Sequence, residues 1–291
     1  MNDNRSPLAL VGLGPMGQAM VRTYLRNGNP ITVWNRTVQR ADALVAEGAV
    51  RAATVRDALA AAELVLLSLT DYQAMYDILA DAGEALRGRV VVNLSSDTPQ
   101  RTREAADWLA ARGAVLITGG VMAPAELVGK DGAYVFYSGP QEAMETHRPT
   151  LELIGRADYL GEDHALAQLF YQAQLDIFLT SLSAYMHATA LVKSAGVSAQ
   201  KFLPYAVDNF DTMSSFIVDA AREIDEGDYP GELANARMMG ATADHIVGAS
   251  GEAGIDLALP AAVKEHYDRA IDAGRGTQGW PSLFETIRKR A

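Results

Sequence analysis

The sequence predicts an α/β domain with a mostly parallel, doubly wound sheet, joined by a long interdomain helix to an all-α C-terminal domain. Three observations predict this fold class. Short apolar runs alternate with helical patterns through the first half of the chain, a long stretch without glycine or proline follows, and only helical patterns come after it. The length, 291 residues, exceeds the size at which one hydrophobic core stops growing, so two domains are expected.

The α/β part is built from strand-sized apolar runs. The predicted strands are residues 8–11, 31–34, 64–69, 90–93, 115–118 and 133–137. The helical stretches between them include residues 16–27, 38–47 and 99–112. Thr98 before Pro99 is typical of a helix start, and Gly28 and Gly113 fit helix ends. Apolar strands separated by helices indicate a parallel sheet covered on both faces.

The all-α part begins with residues 165–195, which are apolar on most sides. A helix of this length spans about 45 Å at a rise of 1.5 Å per residue. Because it is apolar nearly all round, several partners must cover it. Shorter helices are predicted over residues 205–226, 232–249, 260–273 and 281–290. We therefore expect an α/β domain over residues 1–163, the interdomain helix over 164–195 and the helical domain over 196–291.

The composition is that of a globular protein, with 49% hydrophobic and 21% charged residues. The formal net charge of −11 makes the chain a poor binder of nucleic acid or of an anionic membrane, and we expect neither partner. The absence of cysteine excludes disulfides, thiolate metal sites and cysteine nucleophiles. Residues 1–5 lack the basic start and apolar stretch of a signal peptide, so we expect a cytoplasmic protein.

A glycine-rich turn follows the first predicted strand and opens the first predicted helix. Its G-x-G-x-x-G pattern is Gly12-Leu13-Gly14-Pro15-Met16-Gly17. Between a strand and a helix, this pattern is typical of the dinucleotide-binding turn of a Rossmann domain. Gly12 permits the tight turn, Gly14 lets the backbone approach a pyrophosphate, and Gly17 allows close helix–strand packing. We expect these six residues to form the phosphate part of the cofactor site, with the free N–H groups of the helix start facing the phosphates.

The end of the second predicted strand favours NADPH over NADH. NAD-binding chains place Asp or Glu about 20 residues after the glycines, where it accepts a hydrogen bond from the ribose 2′-OH. This chain has Asn35 there, followed by Arg36, Thr37 and, one helical turn on, Arg40. An arginine pair spaced i, i+4 suits a 2′-phosphate, and no carboxylate is present to repel it. The alternative is that both arginines are solvated surface charges.

Two further strand ends are expected to line the ligand crevice, which in such folds lies beyond the carboxyl ends of the strands. Their residues can reach the nicotinamide ribose. The residues expected there are Ser68, Leu69, Thr70, Asn93 and Ser95. Asp71, next in the chain, is expected to be a helix cap or a turn residue instead.

The glycine turn and Val-Trp-Asn-Arg-Thr at residues 33–37 resemble the β-hydroxyacid dehydrogenase superfamily. Within it, the chain resembles the NADPH-dependent imine reductases more closely. The matching segments are Ser-Leu-Thr-Asp-Tyr at 68–72, Asn-Leu-Ser-Ser at 93–96, Gly-Glu-Asp at 161–163, Ala-Leu-Ala-Gln-Leu-Phe-Tyr-Gln-Ala at 165–173 and Gly-Asp-Tyr-Pro-Gly at 227–231. The resemblance covers nearly the whole chain and implies the same order of Rossmann domain, long helix and helical domain.

The long helix departs from the acid dehydrogenases at the proton-transferring residue. Those enzymes carry a catalytic Lys early in this helix and a Ser-Gly-Gly loop for the substrate carboxylate. This chain has no Lys in residues 164–187, and its loop reads Thr-Gly-Gly at 118–120. Imine reductases place Asp or Tyr at this point, and the matching residue is Tyr171, as in members that give S-configured amines. The resemblance therefore implies hydride transfer from NADPH to the C=N carbon of an imine, with Tyr171 as the catalytic proton donor.

The substrate pocket is expected to be apolar. On the long helix, Leu175, Phe178 and Leu179 share a face with Tyr171. The other residues expected in the pocket are Asn93, Met122, Ala123, Phe210, Met213 and Met239. For the apolar members, core packing is an equally good interpretation. The resemblance implies a homodimer with interlocked helical domains, in which the second chain completes the pocket.

The histidines form no cluster with metal-ligand spacing, and we expect no metal. The alternatives to the imine reductase are an NADP-dependent 3-hydroxyacid dehydrogenase, against which the missing Lys argues, and a non-catalytic NADPH sensor. The sequence leaves open the physiological substrate. It also leaves open whether the chain reduces only preformed imines or also couples a ketone with an amine.

Overall fold

Apolar runs form the centre of an eight-stranded sheet in the computed structural model, which describes residues 5–288. The chain divides into two compact units, of which the first ends at Asp176 and the second begins at Ile177. The sheet belongs to the first unit. Every residue is buried in β1 (Leu8–Val11), β4 (Leu64–Leu67) and β5 (Val90–Asn93), as expected for strands that are covered on both faces.

The other strands complete a doubly wound sheet. They are β2 (Ile31–Trp34), β3 (Val50–Arg51), β6 (Val115–Met122), β7 (Tyr134–Ser138) and β8 (Arg156–Tyr159). The order is β3-β2-β1-β4-β5-β6-β7-β8, and only the β6–β7 pair is antiparallel. The connections change direction at β1, which is where folds of this class bind their ligands. The predicted mostly parallel sheet is confirmed.

Three of the six helices described in the first unit start at a capping side chain. They are α1 (Pro15–Arg26), α2 (Asp42–Ala46), α3 (Val55–Ala60), α4 (Tyr72–Leu79), α5 (Pro99–Ala110) and α6 (Gln141–Leu151). Thr54, Asp71 and Thr98 cap α3, α4 and α5 by accepting hydrogen bonds from backbone N–H groups. The expected roles of Asp71 as a cap and of Thr98 as a helix start are confirmed.

Several predicted bounds in the first unit are wrong. The strand predicted over 64–69 ends at Leu67, because its pairing with β1 and β5 stops there. The strand predicted over 115–118 continues to Met122, because residues 119–122 pair with β7 instead of β5. The helix predicted over 38–47 is a 3₁₀ turn, Val38–Ala41, followed by α2. The strand predicted over 133–137 lies one residue later, and β3 and β8 are not among the predicted strands.

The predicted long helix is confirmed as α7 (Leu166–Ser194), which runs from the first unit into the second. The remaining helices are α8 (Ala199–Glu226), α9 (Ala236–Glu252), α10 (Ala258–Ala270) and α11 (Phe284–Ile287). The expected bounds at 163/164 and 195/196 enclose α7 and stay predictions, since the division into two units falls inside this helix.

The predicted bounds of the later helices also need correction. The helix predicted from 205 begins at Ala199, because Ser198 caps it and Pro204 lies inside it. The helix predicted from 232 begins at Ala236, because Asn235 caps it. The helix predicted over 260–273 gives way after Ala270 to a π-helical turn, Ile271–Arg275. The helix predicted over 281–290 is a 3₁₀ turn and α11, and residues 289 and 290 lie outside the described chain.

Candidate active site

Two of the three glycines in the turn between β1 and α1 have no room for a side chain. Gly12 has a φ of +100°, and a Cβ atom on it would lie 2.2 Å from the Ser68 carbonyl oxygen. A Cβ atom on Gly17 would lie 2.1 Å from the Gly12 carbonyl oxygen. A Cβ atom on Gly14 would meet nothing within 4 Å, so this position is open toward a ligand. The structure therefore supports the separate roles expected for the three glycines.

The N-terminus of α1 presents unpaired backbone donors to this opening. Gly14 is the N-cap residue, it offers no capping side chain, and no acidic residue stands in the first turn. The first N–H groups of a helix carry a partial positive charge and lack intrahelical partners. Gly14, its open Cβ position and these N–H groups fit the pyrophosphate of a dinucleotide.

Asn35 fixes the shape of the turn from the end of β2. Its Oδ1 accepts a hydrogen bond from the Leu13 N–H at 2.9 Å, and its Nδ2 donates to the Thr37 carbonyl oxygen at 2.9 Å. The amide that replaces the usual acid is therefore engaged within the protein. Neither Arg36 nor Arg40 forms an ion pair within residues 5–288, so both guanidinium groups are available to a 2′-phosphate.

A cavity of about 500 Å³ brings most of the predicted cofactor residues together. The predicted residues that line it are Gly12, Leu13, Gly14, Pro15, Met16, Asn35, Arg36, Thr37, Arg40, Ser68, Leu69 and Thr70. It is also lined by four residues that sequence reasoning missed: Trp34, Ala74, Asp77 and Ile78. Three of these recur at i, i+3 and i+4 on α4, a spacing that the sequence displays once the helix is placed.

Gly17, Asn93 and Ser95 do not line this cavity. The Asn93 side chain is fully buried, accepts from the Ser95 N–H at 3.0 Å and donates toward the Met75 sulfur at 3.4 Å. The Ser95 hydroxyl accepts from the Leu69 N–H at 3.1 Å. Asn93 and Ser95 thus support the cavity wall from behind, and direct contact of either residue with the cofactor or substrate stays a prediction.

Tyr171 lies in the second turn of α7, against Gly120 of β6. A Cβ atom on Gly120 would lie 2.9 Å from the Tyr171 Cβ and 3.0 Å from its ring, so only glycine lets the helix approach this closely. The ring is half-buried, and no hydrogen bond to its hydroxyl is found within residues 5–288. Burial raises the pKa of Tyr171 above its ordinary value. The site therefore holds a neutral phenol with a free O–H donor.

The predicted apolar pocket residues do not all lie together. Met122 ends β6, Ala123 follows it, and Leu175 lies one helical turn beyond Tyr171. In the second unit, Phe210 and Met213 share a groove of about 400 Å³, whereas Leu179 lines a different groove of about 480 Å³. Phe178 is 56% exposed. Met239 packs against the small core of the second unit, Ala236, Ala243, Tyr267 and Ala270.

Residues 5–288 contain no candidate metal site and one long apolar helix. No group of three or more His, Asp or Glu side chains there could hold a metal ion, and the expectation of no metal stays a prediction. By length and composition, α7 is the one helix in this range that is apolar enough to cross a membrane.

Comparison with known proteins identifies the family. The model of the NADPH-dependent reductive aminase-like C-terminal domain matches residues 163–289, and that of the NAD binding domain of 6-phosphogluconate dehydrogenase matches residues 7–166. An NADPH-dependent reductive aminase of Aspergillus oryzae (strain ATCC 42149 / RIB 40) is 32% identical over 288 residues, with 97% of each chain covered.

Solved structures agree with this assignment. An imine reductase from Bacillus cereus BAG3X2 is 47% identical with a TM-score of 0.90, over 98% of this chain and 100% of that one. A reductive aminase from Aspergillus terreus in complex with NADPH and ethyl-5-oxohexanoate is 35% identical with a TM-score of 0.93, over 98% of this chain and 100% of that one.

These relatives confirm the predicted order of a Rossmann domain and a helical domain, the oxidoreductase class and NADPH as the cofactor. They do not favour the 3-hydroxyacid dehydrogenase or the non-catalytic sensor. The chain belongs to the family of NADPH-dependent imine reductases and reductive aminases.

Proposed function

We propose that this chain reduces the C=N bond of cyclic imines to amines with NADPH, and that Tyr171 gives the proton to the nitrogen. The observation that carries the proposal is the free, neutral hydroxyl of Tyr171 beside Gly120. It stands at the point of the long helix where acid dehydrogenases carry Lys. NADPH, when bound, supplies the hydride.

The first unit binds and orients the cofactor. The N–H groups at the start of α1 receive the pyrophosphate, and Gly14 leaves the room for it. Arg36 and Arg40 receive the 2′-phosphate from the rim of the same cavity. These contacts supply positive charge locally, in a chain whose net charge of −11 would otherwise repel an anionic cofactor.

A phenol suits the charge of the reacting species better than an ammonium group does. The imine nitrogen is protonated before or as the hydride arrives, so the reacting species resembles an iminium cation. A Lys at this point would repel that cation, whereas neutral Tyr171 can donate to the developing amine directly or through a water. This difference supports C=N reduction over oxidation of a hydroxyacid.

The substrate pocket is proposed to require a second copy of the chain. From Leu169 to Ser194, no residue of α7 is buried within one chain. The groove shared by Phe210 and Met213 borders Ser181 and Tyr185 of α7, while the other groove borders Leu182 and Met186, on a different side of this helix. We therefore propose a homodimer with interlocked helical domains that covers both sides of α7.

The proposed second chain also accounts for the apolar character of α7, because it covers the helix with protein and no membrane is needed. The first turns of this helix bury Gln168 and anchor Gln172 through hydrogen bonds to loops of the first unit. We accordingly propose a soluble, cytoplasmic enzyme.

The test is imine-dependent oxidation of NADPH, followed by loss of its near-ultraviolet absorbance. A methyl-pyrroline should be reduced, and 3-hydroxy acids with NADP⁺ should give no signal. Tyr171→Phe should lower kcat by about 100-fold or more, the range of general acid catalysis, with unchanged affinity for NADPH. Tyr76→Phe, which removes the hydroxyl of a tyrosine that packs on Trp108, is the control and should keep full activity. Turnover of the acids alone would refute the proposal.

The same assay with ketone and amine together shows whether the enzyme also couples them, as the reductive aminases named above suggest. Chiral analysis of the amine tests the S configuration that Tyr171 implies by resemblance.

The dependence of kcat/KM on pH shows whether Tyr171 or the solvent protonates the imine. Because burial raises the pKa of Tyr171, its hydroxyl stays protonated to above pH 10. If Tyr171 gives the proton, the alkaline limb of kcat/KM should therefore lie above pH 10 and at the same pH for two cyclic imines of different basicity. A limb that shifted with the iminium pKa of the substrate would show that the imine arrives already protonated and that Tyr171 is not the donor.

A further inference from the structure

The side chain of Gln168 is fully buried, although glutamine is among the residues that usually stay exposed. Its Nε2 donates to the carbonyl oxygens of Ser95, at 3.1 Å, and Gly119, at 3.0 Å. Its Oε1 accepts from the Asp97 N–H at 3.2 Å. One amide thus uses both of its N–H donors and its oxygen on three backbone groups.

These backbone groups lie where the sheet stops pairing. The β5–β6 ladder ends at the pair Asn93 and Thr118, and β6 continues past that point with only β7 beside it. The Gln168 amide reaches the Gly119 carbonyl and the loop after β5 together. It therefore joins the loop after β5, the part of β6 that no longer pairs with β5, and the long helix.

Gln172 repeats the arrangement one turn later. Its Nε2 donates to the Ser96 hydroxyl at 3.0 Å and to the Asp97 carbonyl oxygen at 3.1 Å. We call Gln168 and Gln172 the amide clamp. Tyr171 lies between them in the sequence and packs on Gly120, next to the Gly119 carbonyl that the clamp holds.

The clamp also connects to the cofactor cavity. Ser95, whose carbonyl oxygen receives Gln168, accepts through its hydroxyl from the N–H of Leu69, which lines that cavity. The Asp97 carboxylate accepts from the Tyr72 N–H at the start of α4, whose next turns line the cavity. A continuous set of hydrogen bonds thus runs from α7 to the cavity wall.

We propose that Gln168 is a positioning residue for the reaction, whose buried amide fixes the first turns of α7 on the ends of β5 and β6 and so holds Tyr171 in register with the cofactor cavity. The proposal rests on the function proposed above for Tyr171. Replacing Gln168 leaves three backbone groups without their partner and frees the helix to shift. A shift of about 1 Å at a reacting group can cost up to about 100-fold in rate.

A double-mutant cycle tests whether Gln168 acts through Tyr171. Gln168→Met keeps the length and the helix propensity of the side chain and removes its hydrogen bonds. In the wild-type background it should lower kcat for the methyl-pyrroline about tenfold or more, with the dissociation constant of NADPH changed by less than about twofold. In the Tyr171→Phe background it should lower kcat by less than about twofold, because the group that it positions is gone. An equal loss in both backgrounds would overturn the proposal.

A second measurement needs no substrate. With ring-¹³C-labelled tyrosine, the NMR signal of Tyr171 is assigned as the one that Tyr171→Phe removes. Gln168→Met should move or broaden this signal. Gln172→Met breaks only the smaller half of the clamp, so it is the variant to use if Gln168→Met does not fold, and it should have the same effect. Gln141→Met, at an exposed position of α6, should leave it in place. An unmoved signal in both clamp variants would overturn the proposal even if the chain reduced no imine.

Discussion

The two units differ in how completely each buries its own apolar residues. In the first, Leu8 and Leu10 face one core and Ala9 and Val11 face another, so β1 is covered on both sides. In the second, the core is four small or half-polar side chains, while large ones remain open to solvent, among them Val218 at 71%. Both units contain many large apolar side chains, but only the first unit buries most of them within one chain.

This contrast supports the proposed dimer, in which the first unit is complete as one chain and the second is half of a core that two chains share. Burying one large apolar side chain stabilises a protein by about 1.5–3 kcal/mol, so many such side chains left open represent a strong tendency to associate. The cofactor cavity lies wholly in the complete unit. Cofactor binding and turnover should therefore respond differently when association is blocked.

A charge on the open face of α7 should have the largest effect. Met186 is 62% exposed in one chain, and Met186→Glu would bury an unpaired carboxylate in the proposed dimer. Light scattering should then give the mass of one chain, 31.2 kDa, in place of a dimer. Imine turnover should fall by about 100-fold or more, while NADPH binding persists.

Val50→Glu is the matched control, because Val50 has the same 62% exposure but lies in β3 of the complete unit. It should leave both the dimer and the turnover intact. A wild-type chain that is monomeric and fully active would contradict the comparison on which this prediction is based.

A smaller effect, confined to the complete unit, should follow from the arginines of the cavity rim. Arg36→Ala or Arg40→Ala removes a charge-assisted hydrogen bond to the 2′-phosphate, worth about 1.5–3 kcal/mol, or roughly 10- to 100-fold in affinity. Fluorescence titration should show this loss for NADPH and little change for NADH, which lacks that phosphate. The association state should not change.

Arg156→Ala serves as the control for the loss of a guanidinium group. Arg156 is paired with Asp158 in β8, away from the cavity lining. Equal weakening of NADPH and NADH in the rim variants would show that Arg36 and Arg40 shape the cavity instead of reading the phosphate.

The same contrast explains what the sequence could predict. The strands β1 and β5 and the glycine turn follow from local sequence patterns: an apolar run marks each strand, and the G-x-G-x-x-G spacing between a strand and a helix marks the turn. The short edge strands β3 and β8 carry exposed or polar residues, such as Val50 and Arg156, and have no apolar run to mark them.

The features that the sequence could not predict depend on contacts between residues that are far apart in the chain. Asn35 is visible as a departure from an acid, but its bond to Leu13 depends on the bend of the turn. In the sequence, Gln168 is one polar residue of a largely apolar helix, and nothing there shows that its amide bonds to the loop after β5 and to Gly119 of β6. Phe210, Met213 and Met239 are all large and apolar, so the sequence gives no reason to separate them. The packing does: Phe210 and Met213 line a groove, whereas Met239 packs against the core of the second unit.

The smallest expected effect is an acid sensitivity located in the complete unit. Burial lowers the pKa of His147, which is 9% exposed, and the Glu63 carboxylate at 3.8 Å offsets this only in part. The unfolded chain therefore binds a proton near pH 6.5 while the folded chain does not, so stability is lost as the pH falls below about 6.5. Burial lowers the pKa of His164 in the same direction.

Thermal unfolding of the wild-type chain should accordingly occur a few degrees lower at pH 5.5 than at pH 7.5. His147→Gln should reduce this difference, because glutamine binds no proton in either state, whereas His245→Gln, at an exposed position of α9, should leave it unchanged. Since acid weakens a core that one chain completes alone, the same difference should persist in monomeric Met186→Glu. If the difference disappeared in that monomer, the acid-sensitive groups would lie at the contact between chains and the first unit would not be the self-sufficient one.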